Sequence, residues 1–319
     1  MSVVYFLVQQ MWFFSIPLLI VALGGMFSER SGVVNIALEG IMVIGAFCSL
    51  LFINRLQDIM SGQVLLLLAV LVAAATGAMF SLLHAYAAIN LRSDQTISGT
   101  ALNMIAPAAA IYVARMIQPN HVQQVVFKNT FRIYSVPVLG DIPILGQLLF
   151  QNTYVTTYIG ILIFGAAAFV LFRTKFGLRL RACGEHPQAA DSVGVNVYRI
   201  RYAGVLISGA LAGMGGLVFV IPTSTDFNAT VSGYGFLAVA VLIFGQWKPA
   251  RIFLAALFFG LMKTIASAYS GIPLMKDLPI PSDIYKMVPY IATLIILALT
   301  SKNSQAPRAS GVPYDKGSR

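Results

Sequence analysis

The chain has 319 residues, of which 58% are hydrophobic and 10% charged, and 21 Lys+Arg against 11 Asp+Glu give a formal net charge of +10. Soluble chains carry about 25% charged residues, so this one has too little polar surface to coat a water-exposed globule, which excludes a soluble enzyme and a disordered chain. Its two cysteines, Cys48 and Cys183, are too few for a disulfide framework or a four-cysteine metal site.

A helix crossing ~30 Å of hydrocarbon needs about 20 mostly apolar residues. In chain order, such runs lie near 11–27, 36–53, 64–89, 97–117, 154–172, 202–221, 234–247, 252–270 and 285–300. The 234–247 run is short, and the second run follows a polar stretch. These runs lack barrel-type alternation. The expected fold is therefore an all-α polytopic membrane protein of about 8–10 transmembrane helices, some of them discontinuous, with residues 1–300 forming one transmembrane domain. The first run has no basic residue before Arg30 and no small-residue cleavage site, so it reads as a span rather than a cleaved signal.

The positive residues fall in short clusters between apolar runs, which is the positive-inside pattern and not a nucleic-acid-binding stripe. The connection at 173–201 holds Arg173, Lys175, Arg179, Arg181, Arg199 and Arg201, which assigns it to the cytoplasm. The Pro/Ser/Lys-rich segment 301–319 reads as a disordered tail on the same side. The 118–153 connection has only Lys128 and Arg132 against Asp141 and falls outside.

Small residues recur every four positions at Ala73, Gly77 and Ser81, and again at Gly209 and Gly213 beside Ser208, Ala212 and Gly216. Such rows let helix backbones approach closely in lipid, where association depends on packing. They predict a tight bundle and no particular activity.

The stretch from Glu29 to Gly40 (ERSGVVNIALEG) sets a polar turn and a carboxylate against an apolar run. Asn35 and Glu39, four apart, share a helix face. An acid in the bilayer faces a cavity or a partner, and a discontinuous helix with polar groups at its break is one way to build a midplane transport site. Two readings of Glu39 follow: it lines a solute pathway, or it caps or braces a neighbouring helix.

A similar pattern recurs at Ser232-Gly233-Tyr234-Gly235-Phe236, which leads into an apolar helix ending at Gly245. With the orientation above, the two patterns form an inverted pair of broken helices from an internal repeat. Between them, Asn90 to Asn103 is a polar lead into the fourth run. Thr100 and Asn103, about one turn apart, are suited to hydrogen-bond a neutral hydroxylated solute.

Leu180 to Asn196 (LRACGEHPQAADSVGVN) is too apolar for a plain linker. His186-Pro187 predicts a helix start, and Gly194 after Ala189-Ala190 predicts its end. A short helix between spans on the cytoplasmic side needs a partner for its exposed face.

At this point the chain resembles the permease subunits of bacterial ATP-binding-cassette (ABC) importers of the ribose and branched-chain amino acid type, and within them the nucleoside permeases. The resemblance rests on ERSGVVNIALEGIMVIGAF (29–47), LRACGEHPQAADSVGVNVYRIRYAGVLISGALAGMGG (180–216) and GFLAVAVLIFGQWKP (235–249). Ser98 to Asn103 and Ile142 to Gly146 agree with it.

The resemblance implies a coupling helix inserted into a groove of a separate ATPase. The usual form of that segment is Glu-Ala-Ala, three residues, Gly; here Gln188 replaces the glutamate, and Ala189, Ala190 and Gly194 match. Glu185, Gln188, Ala189, Ala190 and Gly194 are the expected coupling residues. Asn35, Glu39, Thr100, Asn103 and Phe236 are the expected substrate-pathway residues. Implied partners are an ABC ATPase, a second homologous permease forming a heterodimer, an extracytoplasmic substrate-binding protein and the lipid of the bacterial inner membrane.

The chain has no Gly-rich loop ending in Gly-Lys-Ser/Thr to cradle nucleotide phosphates. His84, His121 and His186 show no catalytic or metal-ligand spacing. The expectation is a transport subunit without enzymatic activity, metal or cofactor, importing nucleosides. Ribose-like sugars or branched-chain amino acids are the rival cargoes, and a secondary transporter acting alone is the rival mechanism.

Overall fold

The structure, a computed structural model, describes residues 2–60, 62–128, 131–137, 139–144, 146–268, 281–300 and 305–317. In chain order the helices are α1 (Ser2–Arg30), α2 (Leu38–Leu56), α3 (Gln63–Ile89), α4 (Gln95–Ile117), α5 (Val155–Arg173), α6 (Lys175–Glu185), α7 (Pro187–Ser192), α8 (Val197–Thr223), α9 (Tyr234–Phe244), α10 (Pro249–Ala268) and α11 (Ser282–Thr300). Among the described residues seven helices are long and apolar enough to cross a membrane: α1 to α5, α8 and α10. The short apolar run near 234 forms only the 11-residue α9, and α11 adds a further 19-residue helix. The run expected over 252–270 is helical to Ala268, and its last two residues lie outside the described ones.

Helix α8 lies against α1, α2 and α3, and its small residues explain how it can touch all three. A Cβ on Gly213 would meet the Ala73 carbonyl, one on Gly209 the Ser81 side chain, and one on Gly216 the Met42 carbonyl. On the facing helices, a Cβ on Gly77 would meet the Gly209 carbonyl, and one on Gly45 would meet Gly213. In lipid no hydrophobic expulsion draws helices together, so backbone-to-backbone approach over glycine supplies the dispersion contacts that hold them. Leu67, Leu71, Met79 and Leu83 of α3 are exposed, as suits a lipid-facing side.

At one end of the bundle, two short antiparallel ribbons tie loops together: β1 (Val125–Val126) pairs with β4 (Asp226–Phe227), and β2 (Ile133–Ser135) with β3 (Gln151–Thr153). Asn54 Nδ2 donates to the Val126 carbonyl at 2.7 Å, so the end of α2 belongs there. The opposite, basic end gathers the end of α1, the α3–α4 turn, α6, α7 and the start of α8.

The chain's end corrects one expectation. Residues 305–317, read from composition as part of a disordered tail, pack across the basic end; residues 301–304 and 318–319 lie outside the described ones. Tyr314 is 4% exposed, in a cluster with Cys183, Ala190 and Val197. The Ala309 amide donates to the Gly184 carbonyl at 2.8 Å and the Gly311 amide to the Gly32 carbonyl at 3.2 Å. A Pro/Ser/Lys-rich composition lowers the average hydrophobicity, but one buried tyrosine and these backbone bonds are enough to order a short strap.

Candidate functional site

The site is built at the break between α1 and α2. After Arg30 the helix ends, Gly32 takes φ +97, and residues 33–37 run without helical bonds to Leu38. Backbone groups freed from a helix inside a membrane must find other partners, and side chains from α3 and α4, with Asn35 of the break itself, supply them. Gln95 Oε1 accepts from the Val34 amide at 2.7 Å. His84 Nε2 lies 2.9 Å from the Val34 carbonyl. A carbonyl only accepts, so Nε2 carries the proton, and Nδ1 accepts from the Ser98 hydroxyl at 3.0 Å. Asn103 spans the restart of the helix: Nδ2 donates to the Ile36 carbonyl at 2.9 Å and Oδ1 accepts from the Gly40 amide at 2.7 Å. Asn35, 2% exposed, donates to Ser208 Oγ at 2.9 Å and accepts from the Ala37 amide at 3.2 Å.

Glu39 reaches outward from the first turn of α2 to the start of α9. Its Oε1 accepts from the Gly233 amide at 2.9 Å and its Oε2 from the Gly235 amide at 2.6 Å. Gly233, the N-cap of α9, has no side chain to cap its own helix, so a carboxylate from another helix fills the role. An anion at a helix N-terminus gains from the aligned peptide dipoles as well as from the N–H bonds. The approach is close: a Cβ on Gly235 would collide with the Glu39 backbone, so only glycine fits there.

The other end of α9 is held by the residues before the break. Trp247 Nε1 donates to Glu29 Oε2 at 2.6 Å, and Arg30 Nη2 donates to the Trp247 carbonyl at 3.1 Å. Two glutamates flanking one break thus fix both ends of the short helix. From their meeting point α2 runs toward the β1–β4 end, whereas α9 runs back to Glu29 and Arg30 at the basic end. The two Ser-Gly stretches matched in the sequence are therefore brought together with opposite directions. Next to Gly233, a cleft of about 350 Å³ opens between α9 and α11, lined by Phe236, Leu237, Ala240, Thr293 and Leu294.

The basic connection forms two helices. Thr174 caps α6 by accepting from the Gly177 amide at 3.1 Å, and α7 starts with Pro187 in its first turn. Gly194, with φ +82 and open space around it, turns the chain back toward α8. Gln188, Ala189, Ser192 and Val193 are exposed, Val193 at 78%, while Ala190 is buried beneath Tyr314. Glu185 Oε1 lies 3.6 Å from Arg30 Nη1, which joins this connection to the end of α1.

The pathway candidates named from the sequence thus separate into two groups. Asn35, Glu39 and Asn103 converge on the break, with their polar atoms engaged by backbone or by Ser208. Thr100 and Phe236 are exposed; the Thr100 hydroxyl bonds its own helix at the Thr96 carbonyl, 2.8 Å away. Sequence reasoning missed Gln95, His84 and the Glu29–Trp247 pair. Polar residues inside apolar runs were the available signal for His84, but its partners lie 14 and 50 positions away.

Comparison with known proteins agrees with this architecture. Residues 7–298 match the family described as branched-chain amino acid transport system / permease component. The chain is 46% identical over 312 residues to the guanosine ABC transporter permease protein NupQ of Bacillus subtilis, covering 96% of this chain and 95% of that one. It is 43% identical to the nucleoside ABC transporter permease protein NupC of Lactococcus lactis, covering 97% and 96% of the two chains. To NupB, a nucleoside ABC transporter permease protein of the same strain, it is 24% identical over 95% of this chain and 84% of that one. No solved structure matches. The multi-pass helical bundle and a family match over nearly its whole length establish that this chain belongs to the branched-chain amino acid transport system permease component family.

Proposed function

We propose that this chain is the membrane-spanning permease subunit of a bacterial ABC importer for nucleosides, working in the inner membrane by alternating access. The observation that carries this reading is the near-complete match, at 46% and 43% identity, to permeases named for guanosine and for nucleosides. Hydrolysis of ATP belongs to a separate ATPase docked on the exposed face of α7 around Gln188, Ala189 and Val193, with Glu185 and Gly194 setting the angle of that face. The resemblance of NupC and NupB, two permeases of one strain, to this chain supports a second, paralogous permease as partner. An extracytoplasmic binding protein delivers the solute.

On this reading α9 is the moving part. Glu39, Asn35 and Asn103 hold the break against which it rests, and Phe236 faces the solute from the cleft beside α11. An aromatic ring with neutral hydrogen-bonding groups suits a flat base and a hydroxylated sugar better than it suits a charged solute. The test is uptake of labelled nucleosides by cells lacking this chain: loss of uptake supports the assignment, and unchanged uptake rejects it. Labelled ribose and leucine in the same cells separate the two rival cargoes.

A further inference from the structure

We propose that the C-terminal strap, residues 305–317, is a positioning element that transmits movement of the coupling segment to the α1–α2 break. This rests on the reading that an ATPase docks at α7. The strap touches both the coupling segment and the break. On the coupling side, the Ala309 amide bonds the Gly184 carbonyl at 2.8 Å, the Arg308 amide lies 3.5 Å from Glu185 Oε2, and Tyr314 covers Ala190 and Cys183. On the break side, the Gly311 amide bonds the Gly32 carbonyl at 3.2 Å.

Two arginines fix the strap between these sides. Arg92, in the α3–α4 turn beside Gln95, makes a paired bond to Asp315 at 2.9 and 3.0 Å. Arg201, 1% exposed in α8, donates from Nη1 to the Val312 carbonyl at 3.0 Å, and its Nη2 would be 2.8 Å from a Cβ on Gly32. The strap's Tyr314 ring meets Tyr198 edge-on at 5.5 Å.

These contacts differ in how they tie the strap. The contacts to Gly184 and Gly32 are backbone bonds, so the strap follows the main chain on both sides and does not slide over side chains. Gly184 also abuts the Arg30 carbonyl, where a Cβ would collide. A shift of α7 therefore has two routes to the break: directly through Arg30 and Glu185, and through the strap. The direct route consists of the Arg30–Glu185 pair at 3.6 Å and Gly184 resting on the Arg30 carbonyl, whereas the strap adds five hydrogen bonds of 3.2 Å or less and a buried ring.

The experiment uses the assembled complex with its ATPase and second permease, comparing the full chain with one ending at Ser304. Hydrogen exchange is followed at residues 31–37 and 185–196 with and without a non-hydrolysable ATP analogue. The expected result is a nucleotide-dependent change at both segments in the full chain, and at 185–196 alone in the truncated one. A purely stabilising strap predicts faster exchange at 31–37 in the truncated chain with the nucleotide-dependent difference kept, and that outcome overturns the proposal. So does a full chain whose 31–37 segment ignores nucleotide.

Should the truncated chain fail to assemble, Tyr314→Ala and Asp315→Lys in the full-length chain give the same reading, each expected to reduce the 31–37 response by at least half; an undiminished response in both overturns the proposal. Nucleoside transport by the full-length complex is scored separately: its absence, with the exchange pattern intact, counts against the cargo and leaves the strap's role standing.

Discussion

The Glu39 carboxylate holds the amides of Gly233 and Gly235 at 2.9 and 2.6 Å, so that α9 is capped by a residue 194 positions earlier in the chain. A bond to a charged acceptor contributes about 1.5–3 kcal/mol, and a buried amide left without a partner costs about 1–3 kcal/mol. Glu39→Ala removes the acceptor from both amides. Thermal unfolding in detergent should show a loss of about 3 kcal/mol, with smaller loss for Glu39→Gln, which keeps one acceptor oxygen. An unchanged melting temperature in Glu39→Ala would remove the capping role.

Close packing of α3 on α8 makes a second outcome specific. Gly213 faces the Ala73 carbonyl and Gly77 with no room for a side chain, whereas Gly165 of α5 has open space where its Cβ would be. Overpacking a filled contact costs about 1–3 kcal/mol. Gly213→Leu should therefore lower the yield of folded protein and its melting temperature, and Gly165→Leu should leave both unchanged. Equal effects of the two substitutions would contradict the packing described.

The exposed face of α7 predicts a separation of stability from assembly. Val193→Asp, at a side chain 78% exposed, should abolish co-purification of the ATPase and leave the stability to unfolding within about 0.5 kcal/mol of the parent. Ala190→Asp, by contrast, places a charge beneath Tyr314 and should destabilise the chain itself. ATPase retained by Val193→Asp would move the docking surface elsewhere.

Cys183 reports on the strap. Burial pushes its thiol up to about 11, and the positive charge of Arg201 offsets this only in part. The nucleophile is the thiolate, so at neutral pH the group is protonated and covered, and its reactivity rises only as the pH approaches that value. In a Cys48→Ala background, maleimide labelling at neutral pH should be negligible in the full chain and at least ten-fold faster in the chain ending at Ser304. Rapid labelling of the full chain would mean that the strap is not seated as described.

Most of the bundle was legible in the sequence, because apolar run length and glycine spacing are local signals. The turn at Gly32, the start of α7 at Pro187 and the reversal at Gly194 follow from residues that restrict or free the backbone where they stand. What joins the pieces was not legible. Glu39 offered itself equally as a pathway acid or as a brace, since its partners are backbone amides, which every residue but proline carries. Glu29 gave no hint of Trp247, 218 positions away. The strap was read as disordered because composition averages over a segment, and the average hides one buried tyrosine and two distant arginine partners, Arg92 in the α3–α4 turn and Arg201 in α8. Asn103, named as a pathway residue, spends both ends of its amide on the backbone of the break, and Asn35 divides its own between the Ala37 amide and Ser208, a demand that arises because the helix is interrupted there.

The most direct test of the account is labelled-guanosine uptake into proteoliposomes, with the permease pair, ATPase and binding protein reconstituted together or with this chain alone. The account predicts accumulation against a gradient only in the complete assembly and only with ATP inside the compartment that exposes the α7 face. Uphill accumulation by this chain alone, without nucleotide, would contradict it.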